Sequence, residues 1–164
     1  MTNLNQELAD AYARSKVSIW SGDCRLVARP AHQLEVADSK FFLSKFGART
    51  LFVITAWNPE SLEVSVEANA KANKELLIEL ENLDCEVLEA LGSSLDDSWF
   101  EDSFALVVGD QEIMHEVEKR IRDLALKYRQ NAYFKITPET IEIVGALFEG
   151  LHLSLPLALE VMQP

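Results

Sequence analysis

Glu101 is the one carboxylate in a group of polar and aromatic residues that the sequence places at a single rim of a predicted sheet. A desolvated carboxylate can act as an acid or a base, and an ionised one can anchor the hydrogen-bond donors of a ligand. Glu101 is therefore the only candidate acid or base, and the catalytic residues are otherwise unknown. The predicted ligand-binding residues are Asn58, Asn69, Asn73, Trp99, Glu101, Ser103, Gln130 and Asn131.

Two of these amides belong to a helical stripe within residues 65–83. Its members recur at steps of four, three, four and three residues and are Asn69, Asn73, Leu76, Leu80 and Leu83. The apolar half must face the sheet, so the two amides point inward as well. Taken alone, this pattern favours a structural role in which the amides tie helix to strand, since a buried amide needs partners. The alternative is that they face a ligand.

The order of elements from residue 51 predicts the fold. We expect strands at 51–57, 86–91, 104–108, 132–137 and 140–144, and helices at 65–83 and 110–128, with Ser65 and Asp110 as their N-caps. This β-α-β-β-α-β order plus one extra strand is typical of the ferredoxin-like split βαβ fold of the α+β class. Another α/β sandwich with a different strand order is the alternative. Before this core we expect a helix at 4–14, a hairpin at 17–28 and a short helix at 38–46, which Asp38 caps and Gly47 ends.

The ferredoxin-like topology explains why distant polar segments would meet. The end of the first strand, the start of the first long helix, the loop between strands two and three, and the start of strand four share one end of such a sheet. The helix N-terminus adds free N–H groups and a positive dipole, which favour an anion, so we expect this rim to bind a small polar or anionic ligand. We expect Glu101 to reach an Asn amide or a first-turn N–H, and to remain ionised at neutral pH as a general base or ligand anchor.

Metal and cofactor motifs are absent from the sequence. His32, His115 and His152 lack the spacing of metal ligands, and Cys24 and Cys85 lack a CxxC pattern, so we expect reduced core cysteines. No dinucleotide fingerprint, P-loop or nucleophile elbow occurs. We therefore expect no metal and no cofactor. Whether the protein is an enzyme or a binding module stays open, although the lack of a nucleophile favours binding.

Charge is unevenly distributed along the chain. The net charge is -12, and residues 60–118 contain 17 acidic residues against Lys71 and Lys74. Such an acidic centre argues against binding to nucleic acid, whose backbone requires Lys and Arg. A solvated surface is the simpler interpretation. The alternative function is a protein-interaction module that docks a basic protein partner through this acidic surface.

The remaining features concern organisation and location. No linker or repeat divides the sequence, so we expect one domain over 1–164, consisting of an N-terminal part at 1–50, a core at 51–137 and a tail at 138–164. No signal peptide or apolar stretch long enough to span a bilayer is present, which predicts a cytoplasmic protein without membrane contact. The run 151–162 alternates poorly. It is a candidate for packing back on the domain or for a homo-oligomer contact.

Four ordered pieces of this chain resemble a bacterial family, domain-of-unknown-function family three-two-nine-three. The pieces are FVITAWNP at 52–59, EANAKANKELLIEL at 67–80, WFEDS at 99–103 and QNAYF at 130–134. The resemblance extends over most of residues 12–137. Because the family has no established activity, it implies the extent of the domain and the set of motifs, and it implies no reaction.

Overall fold

The computed structural model describes residues 4–32, 35, 39–47 and 49–162. The helices are α1 (Leu4–Ala13), α2 (Lys40–Phe46), α3 (Val66–Glu81) and α4 (Gln111–Lys127). The strands are β1 (Ser15–Ser21), β2 (Cys24–Pro30), β3 (Thr50–Ile54), β4 (Glu86–Ser94), β5 (Phe100–Val108), β6 (Ala132–Ile136), β7 (Thr140–Gly145) and β8 (His152–Met162). A single 3-10 turn, Pro59–Ser61, lies between β3 and α3.

The eight strands form a closed antiparallel barrel in the order β1-β2-β8-β7-β6-β3-β5-β4, with β4 returning to β1. The prediction of an open ferredoxin-like α+β fold is therefore wrong, as is the alternative of an α/β sandwich. The neighbours β6-β3-β5-β4 do follow the split βαβ order. The error concerns the edges: β1 pairs with β4, β7 pairs with β6, and β2 pairs with β8, so that no edge stays open.

Two apolar clusters hold the barrel together. The inner one contains alternate residues of the strands, such as Leu51 and Val53, and is filled by Phe42 and Phe46 of α2. The outer one places the intervening residues of β3, including Phe52, beneath α3 and α4. All five residues of β3 are buried as a result. This two-sided burial explains why the β3 sequence is continuously apolar instead of alternating.

Several local predictions are confirmed by the helix ends and turns. The Ser65 side chain accepts a hydrogen bond from the Ala68 amide at the start of α3, and Asp110 accepts one from the Glu112 amide at the start of α4. Gly47 ends α2 with φ of 62°, a conformation that glycine adopts easily. The predicted cap Asp38 lies outside the described residues, and Ser39 occupies the N-cap position.

Two strand boundaries differ from the predictions in ways that matter for the site. β5 begins at Phe100, so Glu101 and Ser103 lie on a strand and not in a loop. The run 151–162, which was expected to pack back on the domain or to form a homo-oligomer contact, contains β8, an eleven-residue strand that pairs with both β2 and β7. Cys24 and Cys85 are free thiols. None of the described helices is long and apolar enough to cross a membrane.

Candidate functional site

Asn69 and Asn73 connect α3 to the segment that follows β3. The Asn69 side chain exchanges two hydrogen bonds with Asn58: its Oδ1 accepts from the Asn58 backbone amide at 2.8 Å and its Nδ2 donates to Asn58 Oδ1 at 2.9 Å. Asn73 accepts from the Ala56 amide at 2.8 Å and donates to the Asp102 carbonyl at 2.8 Å. Both amides are buried and satisfied. Their contacts are those of a structural tie between helix, loop and β5.

The turn that follows β3 is fixed from several sides. Asn58 adopts a left-handed conformation with φ of 46°, which Asn tolerates better than most residues. The Gln130 side-chain amide donates to the Trp57 carbonyl at 3.1 Å, and Asn131 donates to Ser61 Oγ at 2.9 Å. These contacts leave the Asn58 side-chain amide pointing toward β5. The polar residues around the turn therefore hold it in one conformation.

A cavity of about 330 Å³ lies beside this turn. Helix α1 contributes one wall, and the start of β5 contributes another. Its lining is mostly apolar and consists of Leu8, Ala11, Tyr12, Asn58, Ser61, Trp99, Phe100 and Glu101. Trp99 and Phe100 remain 41% and 61% exposed, so the aromatic wall is open to an incoming molecule. We call this space the Glu101 cavity.

Glu101 is the acidic group of this cavity. Desolvation raises its pKa to about 7, and the hydrogen bond from Asn58 only partly opposes that rise. The bond joins Asn58 Nδ2 to Glu101 Oε1 at 3.5 Å, which is at the long limit for a hydrogen bond. The expectation that Glu101 stays fully ionised at neutral pH is therefore wrong. One long amide contact does not offset the loss of water, so burial shifts the carboxyl toward its protonated form.

Tyr12 shares the cavity with Glu101. Desolvation raises the pKa of its phenol, and the nearby negative charge of Glu101 raises it further. The phenol therefore stays neutral and can donate or accept a hydrogen bond within the cavity. Its ring packs edge-on against Phe134, with centroids 5.9 Å apart. The carboxyl and the phenol are the two ionisable groups of the lining.

The predicted site residues separate into different surroundings. Asn58, Trp99 and Glu101 line the Glu101 cavity. Asn73 and Ser103 border a separate groove of about 440 Å³, and Asn131 borders a third concavity of about 430 Å³. Asn69 and Gln130 hydrogen-bond to the backbone of the turn after β3, at the Asn58 N–H and the Trp57 carbonyl. The structure thus brings the predicted segments to one region, where only three of the eight side chains share the cavity.

Sequence reasoning missed the residues of the cavity that lie on α1. Leu8, Ala11 and Tyr12 lie within the helix predicted at 4–14, but nothing in the sequence indicates what this helix covers. Phe100 was also missed, although it directly follows Trp99.

The described chain is thus a closed antiparallel barrel with two outer helices and a ligand-sized cavity that contains one desolvated carboxyl group. Residues 54–133 match the family model described as "Protein of unknown function (DUF3293)". That match confirms the resemblance seen in the sequence motifs, and it covers α3, β4, β5 and α4. No curated protein and no solved structure shows significant similarity to the chain.

Proposed function

We propose that the protein binds a small, mostly apolar molecule that carries one protonated amine, with the amine at Glu101. The observation that carries this proposal is the carboxyl of Glu101, held in an apolar-lined cavity with a single long hydrogen bond from Asn58. A desolvated carboxylate with so few donors is the group of the site that gains most from a new partner. The proposal is one of binding, without a reaction.

The charge of the lining favours a cation over an anion. Neither Lys nor Arg is among the residues that line the Glu101 cavity. The start of α3 offers an anion little, because Ser65 already accepts from the Ala68 and Asn69 amides. The expected preference for a polar or anionic ligand therefore receives no support from the lining. An ammonium group would instead supply a positive partner for the Glu101 carboxylate, which no residue of the lining provides.

Size and shape limit the ligand to a small molecule. A volume of about 330 Å³ is near the lower end of the range of roughly 300–1,000 Å³ for ligand pockets. The exposed rings of Trp99 and Phe100 offer stacking surfaces for an aromatic or aliphatic body. The Tyr12 hydroxyl can add one directional hydrogen bond. A single ring with a short amine tail fits these requirements.

The experiment compares three probes of nearly equal shape: 2-phenylethylamine, 2-phenylethanol and phenylacetate. Binding is followed by amide chemical shifts in ¹H–¹⁵N spectra and by the fluorescence of Trp99 in a variant with Trp20 and Trp57 replaced by Phe. We expect the amine to bind at least tenfold more tightly than the alcohol, and the carboxylate most weakly. The shifts should concentrate on residues 8–12 and 99–101. Equal affinity for amine and alcohol would contradict the proposal.

Variants and pH give a second test of the same site. Glu101→Gln should lower the affinity for 2-phenylethylamine about tenfold, which corresponds to about 1.4 kcal/mol. The matched control Glu86→Gln changes an exposed acid at the start of β4 and should have no effect. Because the pKa of Glu101 is about 7, the affinity should rise between pH 6 and pH 8 as the carboxyl ionises. Affinity that does not depend on pH would exclude an ion pair with Glu101.

The acidic surface of residues 60–118 remains the alternative prediction, in which it docks a basic protein. Some of its charge is already balanced inside the fold. Glu79 pairs with Lys127 and Arg120, and Glu118 pairs with Lys135. Salt separates the two functions, because a docking surface loses affinity steeply as ionic strength rises, whereas a desolvated pair in a cavity is screened less.

A further inference from the structure

We propose a second binding site, on the outer face of β1, β2 and β8, for a small apolar carboxylate whose charged group contacts Arg25. A cavity of about 320 Å³ lies on this face, and none of its lining residues lines the Glu101 cavity. It is lined by Lys16, Arg25, Val27, Arg29, Leu95, Asp97, Glu160 and Met162. The site does not depend on the proposed function of the Glu101 cavity.

Arg25 is the cation of this face that lacks a carboxylate partner. Lys16 pairs with Asp97 at 2.9 Å, and Arg29 pairs with Glu35 at 2.6 Å. Within residues 4–32, 35, 39–47 and 49–162, no carboxylate contacts the Arg25 guanidinium. Its Nε is buried without any hydrogen-bond partner, and it is the only such side-chain atom in that part of the chain. The buried Nε is closed to a ligand, so an anion would bind through Nη1, which is accessible, on a guanidinium that has no carboxylate partner.

The orientation of the guanidinium is already fixed. Its Cζ lies 5.5 Å from the ring centroid of Trp20, the residue directly opposite Arg25 in the β1–β2 pair. One Nη2 hydrogen is donated to Ser18 Oγ at 2.9 Å. The Nη1 group has no protein partner in the described chain, and it is not buried. A planar fork held in this way is preorganised for a planar carboxylate, so binding orders few additional groups.

The remaining charges select a monoanion. The cations Lys16 and Arg29 are 18% and 14% exposed, whereas the carboxylates Asp97 and Glu160 are 72% and 56% exposed. Lys16 and Arg29 are already paired with carboxylates, so Arg25 is the cation that remains to be neutralised, and one carboxylate is enough for that. A phosphate dianion would be repelled by the two exposed acids. Contact with the apolar lining residues then favours a short hydrocarbon tail on the carboxylate.

The experiment titrates the intact protein with sodium hexanoate, 1-hexanol and inorganic phosphate, each at constant ionic strength. Chemical shifts of the amides of Lys16, Val27 and Leu95 report on this cavity, and those of residues 99–101 report on the Glu101 cavity. We expect hexanoate to shift the first group and to bind at least tenfold more tightly than hexanol or phosphate. Equal binding of hexanol would overturn recognition of the carboxylate, and tighter binding of phosphate would overturn the choice of a monoanion.

Variants assign the affinity to the guanidinium. Arg25→Gln should weaken hexanoate binding at least tenfold, whereas the control Arg122→Gln on α4 should leave it unchanged. Arg25→Lys keeps the positive charge and loses the planar fork, so we expect an intermediate loss of hexanoate affinity. This second variant tests the assignment even if Arg25→Gln does not fold. Wild-type affinity in either Arg25 variant would overturn the assignment. Glu101→Gln should not alter hexanoate binding, which keeps this test separate from that of the amine site.

Discussion

The outer surface of the barrel consists of two unlike halves. Over β3, β5 and β6 the outward side chains pack beneath α3 and α4 in a second apolar cluster. Over β1, β2 and β8 no described helix covers the strands, and the outward positions carry charged residues such as Arg25, Arg29 and Glu160. We refer to them as the covered half and the bare half.

The two halves treat their polar groups differently. In the covered half, Asn69 and Asn73 use both side-chain atoms in hydrogen bonds to neighbouring segments. In the bare half, Arg25 keeps one nitrogen buried without a partner. The amides of the covered half hold elements together, and the unpaired cation of the bare half is free to recognise something else. The satisfied amides of the covered half thus serve the architecture, whereas the unsatisfied nitrogen of Arg25 serves no contact within the described chain.

The largest expected difference between the halves is the effect of truncating an apolar side chain. Leu76 of α3 is fully buried in the covered half, and Met162 of β8 is 49% exposed in the bare half. Leu76→Ala should lower the free energy of unfolding by about 2–5 kcal/mol because it leaves a cavity. Met162→Ala should change it by less than about 1 kcal/mol. Urea denaturation measures both, and similar losses for the two variants would mean that the halves do not differ in packing.

The next largest effect concerns Glu101, at the rim of the covered half. Its pKa rises from 4.5 to about 7 on folding, so between these values the folded protein holds a proton that the unfolded chain releases. The free energy of unfolding should therefore fall as pH rises from 4.5 to 7, by up to about 3 kcal/mol. Glu101→Gln should remove this fall and be the more stable protein above pH 7. Urea midpoints measured from pH 4.5 to 8 test the sign, and a parallel pH dependence in both proteins would contradict it.

A smaller effect should follow from loss of one structural amide. Asn69→Ala leaves the Asn58 backbone N–H without its partner and removes one of the two donors to Asn58 Oδ1, so we expect a loss of about 1–3 kcal/mol in the free energy of unfolding. The control Asn82→Ala removes an exposed amide at the end of α3 and should have little effect. Denaturant melts with and without 2-phenylethylamine then separate a structural from a ligand-binding role. An Asn69→Ala protein of normal stability with lost binding would refute the structural role.

The smallest effect belongs to the exposed ion pair of the bare half. Glu160 lies 3.4 Å from Arg29, which already has a two-pronged contact with Glu35. Glu160→Gln should lower the free energy of unfolding by less than about 1 kcal/mol, and added salt should abolish the difference. Melts at low and high salt provide the measurement. A loss that persists in high salt would show that this half is more tightly packed than its exposure suggests.

The sequence predicted the covered half better than the bare half. β3, α3 and α4 have strong, long signals, and the caps Ser65 and Asp110 were identified correctly. β8 was missed although Leu153, Leu155, Leu157 and Leu159 alternate with mostly polar or small residues. Pro156 lies within that run and lacks a backbone N–H, which argues against a strand. The closed barrel could not be predicted because its closure depends on the pairing of β2 with β8, which no local pattern specifies.

The site was predicted only in part, because some of its residues come from neighbouring core strands and others from an element whose position the sequence does not indicate. Asn58, Trp99 and Glu101 meet because β3 and β5 are neighbours, as the split βαβ order requires. The burial of Glu101 was underestimated because the wall that excludes water comes from α1, whose position no sequence pattern indicates. Arg25 carried no signal at all. A cation becomes notable only when the partners of its neighbours are known, and these partners lie up to 131 residues away.

Closure of the ring through β2 and β8 also sets an order of events during protein synthesis. The β1–β2 hairpin can form as soon as it leaves the ribosome, but its two outer edges must wait for β4 and for β8. Until residue 162 emerges, β2 presents unpaired backbone groups of the kind that recruit other chains. Folding of the barrel should therefore finish late, in a slow step governed by contacts distant in sequence, and the nascent chain should depend on holdase chaperones until that step is complete.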